Sequence, residues 1–80
     1  MNRDDIKNRL QNIFRDVFGQ DNLEITDLSS PDNIDEWDSL THITILEAVQ
    51  DEFGVSFSLD EMIEMVDVEK IINAISAKVL

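Results

Sequence analysis

Apolar residues along this chain recur at helical spacing in separate blocks, and nowhere do more than two stand side by side. That pattern restricts the fold to amphipathic helices, because a fully buried strand needs a longer apolar run and a membrane span needs about twenty apolar residues together. Ile6, Leu10, Ile13, Phe14, Val17 and Phe18 line one face of a helix predicted over about residues 3 to 18. Asp4 and Asp5 in its first turn suit the positive end of the helix, and Gly19 is placed to end it. From Leu40 a second stripe begins, with Ile43, Leu46, Val49 and Phe53 in line and Ile45 widening it, which predicts a helix over 39 to 53 ended by Gly54. Asp38 or Ser39 is suited to cap its start. After an extended piece, Val55-Ser56-Phe57, Ser58 can cap a short third helix to about residue 65. Asp67 can cap a fourth carrying Val68, Ile71, Ile72, Ile75 and Val79. The expected architecture is all-α, a small four-helix bundle with a long first loop and a short third helix, forming a single domain over residues 1–80.

Between the first two helices, residues 20 to 38 show no sustained period, are rich in Asp, Asn and Ser, and hold the only proline, Pro31. A loop of that length in a compact domain is either functional or pinned down. Leu23, Ile25, Leu28 and Ile34 are the expected pins.

Charge is distributed unevenly. Sixteen Asp or Glu lie between Asp16 and Glu69 with no Lys or Arg among them, and the net charge is −12. Such a field repels nucleic-acid phosphates and anionic membranes, so neither is an expected partner, while basic protein surfaces are attracted. The chain has no cysteine, which excludes disulfides, thiolate nucleophiles and zinc-thiolate sites. With an N-terminus lacking an apolar signal core, a cytoplasmic, monomeric protein is expected.

The order of helices, the long pinned loop, Asp38-Ser39-Leu40 at a helix start and the ending Glu47 to Phe57 together resemble the acyl carrier protein family over essentially the whole chain. The resemblance implies that Ser39 is esterified by 4′-phosphopantetheine, whose thiol carries an acyl group as a thioester. It implies a phosphopantetheinyl transferase as partner, together with acyl-loading and acyl-processing enzymes bearing basic docking patches. It also implies that the chain is not itself an enzyme. Asp38 would orient the transferase or its metal, and Leu40 would be an exposed apolar anchor. The family commonly has Gly where Glu36 stands and an aliphatic residue where Trp37 stands, and His42 is unusual there. In these respects the chain resembles discrete carriers of specialised biosynthetic pathways more than the housekeeping carrier of fatty-acid synthesis. An aminoacyl or peptidyl cargo, or an unmodified acidic interaction subunit, are the alternative readings.

Several residues carry competing readings. Ser39 could be only a helix cap. His42 lies one turn after it, which raises a hydrolytic Ser-His pair, but the sequence offers neither an orienting third group at a clear position nor a Gly-rich oxyanion loop; His42 is read as a surface residue beside the prosthetic arm. Trp37 is expected to pack over the bundle and fix the loop. Met62, Ile63 and Met65 read first as ordinary core, while Ile43, Leu46, Phe57 and Met62 are the candidates for an acyl pocket. The acidic loop lacks the frame of a calcium-binding EF-hand, so no specific metal site is expected. Asp38, Glu47, Asp51, Glu61 and Glu64, with Leu40, are the candidate docking residues.

Overall fold

The computed structural model describes residues 1–79 and contains four helices: α1 (Arg3–Phe18), α2 (Ser39–Phe53), α3 (Leu59–Glu64) and α4 (Val68–Val79). All four are where the apolar spacing puts them, with α3 ending one residue early, at Glu64, where Met65 takes the capping position. Both glycines close their helices in the left-handed conformation, Gly19 at φ 65° and Gly54 at φ 64°, a region open to glycine at little cost.

Helix α1 packs against α2 and α4. The core between them is built from Ile6, Leu10 and Phe14 of α1, Ile45 and Val49 of α2, and Ile71, Ile72 and Ile75 of α4, all fully buried. Helix α3 contributes no buried residue of its own; Met65, just after it, does. Of the expected core at this end of the molecule, only Met65 is therefore core. Met62 is half-buried and Ile63 is 64% exposed, because a helix of barely two turns offers one side to the bundle.

The first loop is held by apolar and polar groups together. Ile25 and Ile34 are buried and Leu23 is half-buried, but Leu28 is 83% exposed and pins nothing. Its role falls to the hydrogen bonds around it. The Ile25 amide donates to Gln11 Oε1 at 2.9 Å, Arg15 Nε donates to the Leu23 carbonyl at 2.7 Å, and Asn33 Nδ2 donates to the Leu28 carbonyl at 2.9 Å. The buried Ser29 accepts from the Thr26 amide through its hydroxyl, and from the Val68 amide at 3.0 Å through its carbonyl, tying the loop to the first turn of α4.

At its end the loop is anchored by Trp37, 2% exposed, whose ring meets Phe14 edge-on at 4.9 Å and 89°. A large aromatic buried against α1 thus fixes where α2 begins.

Candidate attachment site

Asp38 is the cap of α2. Its Oδ1 accepts from the amides of Leu40 at 3.0 Å and Thr41 at 2.9 Å, and the Thr41 hydroxyl accepts in return from the Asp38 amide at 2.9 Å, closing a reciprocal capping box. The Thr41 amide above all, then the Thr41 hydroxyl and the Leu40 amide, hold the Asp38 carboxyl below the ordinary carboxylate range. Thr41 was not singled out from the sequence, although the Asp-x-x-Thr spacing carries the signal.

Because Asp38 takes the cap, Ser39 is released from that duty. It is the first residue of α2, is exposed, and its hydroxyl has no protein partner among the described residues. The helix start supplies the positive dipole pole that favours an anion there. A phosphodiester therefore fits this position: the oxygen is accessible, uncommitted, and at the favourable end of a helix of 15 residues.

His42, one turn on, is only half-exposed and is not the free surface residue expected. Trp37 Nε1 donates to His42 Nδ1 at 2.9 Å, and the two rings lie 5.7 Å apart. Burial pushes the imidazole below its ordinary value of 6.5, favouring the neutral ring. With its Nδ1 lone pair engaged and its proton on Nε2, the neutral ring offers Ser39 no free basic nitrogen, which removes the hydrolytic pair.

The expected pocket residues do not all come together. A groove of about 380 Å³ between α2 and α3 is lined by Ile43, Leu46 and Met62, with His42 and Ile63, but Phe57 is not part of it. Phe57 is 6% exposed and lies in the core, drawn inward where its amide donates to Gln50 Oε1 at 3.0 Å. Ile43, expected on the buried stripe, is 56% exposed, since α2 carries apolar residues on two sides and only the Ile45, Leu46 and Val49 side meets the bundle. A larger depression of about 690 Å³ lies between α3 and α4 and takes no residue from α2.

Leu40 is 74% exposed beside Ser39, and Leu59 is 73% exposed on α3. Glu47, Asp51 and Glu64 are exposed as well. Glu61 departs from the docking role: its Oε1 accepts from the Ser58 amide at 2.9 Å and its carboxylate pairs with Lys78 at 3.2 Å, so it is committed to capping α3 and joining it to α4. The Ser58 amide first, and Lys78 after it, hold the Glu61 carboxyl below its ordinary range. No helix of the described residues is long and apolar enough to cross a membrane.

The four-helix fold presents an uncommitted serine at the start of its second helix, a position open to covalent attachment. The model of the phosphopantetheine attachment site family matches residues 8–75, and the chain belongs to that family. Its members hold phosphopantetheine covalently and carry groups rather than transform them. The solution NMR structure of the holo acyl carrier protein from Geobacter metallireducens is similar in fold, with a TM-score of 0.83 and 29% sequence identity, covering 91% of this chain and 84% of that one. No match was found among curated protein sequences.

Proposed function

We propose that the protein is an acyl carrier that bears 4′-phosphopantetheine on Ser39 Oγ and delivers acyl intermediates to biosynthetic enzymes. The observation that carries this reading is the exposed, unpartnered Ser39 at the amide-rich start of α2, with Asp38 occupying the cap in its place. When bound, the group supplies a terminal thiol that holds an acyl chain as a thioester, a function this cysteine-free chain lacks.

The surroundings also explain why the group has to be fastened covalently. Helix α2 contains no Lys or Arg, so only the helix end attracts an anion, while Glu36, Asp38 and Glu47 repel one. A freely dissociating phosphate ester would not be retained there. Ester formation at Ser39 Oγ, with cleavage of the pyrophosphate of coenzyme A and departure of the nucleotide half, makes attachment independent of that field.

Exposed Leu40 and Leu59 beside Glu47, Asp51 and Glu64 suit a partner that offers an apolar socket with a basic rim. Such contacts are fast, salt-sensitive and weak, as serial delivery requires. The test is incubation of the unmodified protein with coenzyme A and a phosphopantetheinyl transferase, followed by intact-mass measurement. The mass is expected to rise by one phosphopantetheinyl group, and Ser39→Ala to stay unchanged; an unmodified wild-type chain, or a modified Ser39→Ala, refutes the reading.

A further inference from the structure

We propose that His42 is a positioning residue for what Ser39 carries, its Nε2–H donating a hydrogen bond to a tethered carbonyl oxygen at the α2/α3 groove. The inference rests on attachment at Ser39 and adds a role for the one histidine in the chain.

The argument begins with Trp37. An indole N–H can only donate, so the 2.9 Å bond from Trp37 Nε1 requires an unprotonated His42 Nδ1. A neutral imidazole has one proton to place, and here it can only be on Nε2. The orientation is held from behind, since Trp37 is buried and wedged against Phe14. The result is a fixed donor on a ring whose other nitrogen is already spoken for.

Its location gives that donor a use. His42 lies three residues after Ser39, one turn along the same face of α2, and it lines the groove with Ile43, Leu46 and Met62. The other polar lining groups do not compete for the same task. Gln50 is engaged at both ends of its amide, donating to the Leu46 carbonyl at 3.2 Å and accepting from the Phe57 amide at 3.0 Å. Glu47 presents carboxylate oxygens, which accept rather than donate. An otherwise apolar groove with one oriented donor near the tether holds a chain with an oxygen in the right place better than a plain hydrocarbon.

Three tethered sources offer a carbonyl oxygen: the amides of the arm itself, the thioester carbonyl, and an oxo group beyond the thioester in the cargo. The experiment separates them by loading the protein from coenzyme A, octanoyl-coenzyme A or 3-oxooctanoyl-coenzyme A, confirming each product by mass, and recording the imidazole ¹⁵N resonances. With a single histidine the signals are unambiguous. The unloaded protein is expected to show the Nε2–H tautomer. The Nε2 resonance then moves on loading from coenzyme A if the arm is the acceptor, with both acyl cargoes if the thioester carbonyl is, or only with the 3-oxo cargo if the oxo group is. Where an acyl-loaded species moves it, His42→Phe is expected to shorten the thioester lifetime in hydroxylamine about two- to tenfold, the worth of one neutral hydrogen bond, and His42→Gln to restore it; the species loaded from coenzyme A ends in a thiol and is read by the resonance alone. An Nδ1–H tautomer, or an Nε2 resonance unmoved by all three fully loaded species, overturns the inference while leaving attachment intact. Failure to gain mass overturns the attachment reading and this one with it.

Discussion

Removing the Trp37 ring should cost more than any other change in the first loop. A tryptophan side chain buries about 150 to 250 Å², which at about 25 cal/mol per Å² sets an upper figure of about 4 to 6 kcal/mol. Truncations of buried aromatics to alanine measured in other proteins cost about 3 to 5 kcal/mol, the same range. Trp37 is 2% exposed, so the full loss applies. A domain of 80 residues has in all about 4 to 12 kcal/mol of stability, so Trp37→Ala should leave a marginally folded protein. Trp37→Phe keeps a ring against Phe14 but loses the donor to His42, and a cycle with His42→Phe should give a coupling of about 0.5 to 1.5 kcal/mol. Urea unfolding followed by far-ultraviolet circular dichroism reads both without relying on the tryptophan signal. A Trp37→Ala cost below about 1 kcal/mol with an unchanged urea slope would refute the claim that this ring anchors the loop. Strict additivity in the cycle would refute the indole–imidazole link.

Three further outcomes follow from the same region. Trp37 is the only tryptophan, so its emission should change as His42 protonates, with a midpoint below 6.5 because burial depresses the folded value; His42→Gln should abolish the transition, and a midpoint at or above 6.5 counts against the burial. Since the folded imidazole takes a proton less readily than the unfolded one, its contribution to stability is complete above pH 6.5 and is lost as pH falls from there through the folded value, a difference to be read between wild type and His42→Gln. Asp38→Ala should lower the melting temperature and slow modification of Ser39, whereas Asp38→Asn and Asp38→Ser, which still accept from the first-turn amides, should keep most of the stability; equal losses in all three variants would show that charge rather than capping matters.

Helix order and limits were legible because each block of apolar residues has the period of a helix and is bounded by a capping residue or a glycine. What the pattern could not carry is which side of a doubly apolar helix turns inward. Ile43 and Ile45 are two positions apart on α2 and equally apolar, yet only Ile45 meets the bundle, a choice made by the neighbouring helices rather than by α2 itself. Leu28 misled for a related reason: it is an apolar residue in a loop whose hold comes from Ser29, Asn33 and Gln11, and such side-chain to backbone bonds leave no periodic trace. Phe57 is buried in the core, and its amide donates to Gln50, seven residues earlier. At the site, Ser39 and Asp38 stood out by their place at a helix start, but the Trp37 to His42 bond did not, since nothing in a five-residue spacing says that an indole will reach back to an imidazole.

The acidic stretch between Asp16 and Glu69 looks uniform in sequence, and the fold makes it directional. The cations lie outside that stretch and pair back onto part of it: Arg3 with Asp27, Arg9 with Glu52, Lys70 with Asp67 and Lys78 with Glu61. Exposed pairs of this kind contribute little to stability, but each cancels local field. Glu47, Asp51 and Glu64 have no such partner among the described residues, and they lie on the two helices that also expose Leu40, Ile43, Leu59 and Ile63. Unpaired carboxylates therefore remain on α2 and α3, as they do in the loop that leads into Ser39 at the head of α2. On the proposed reading, a basic partner meets Glu47, Asp51 and Glu64 unpaired on the two helices that also expose apolar side chains, an attraction that is weak and salt-dependent.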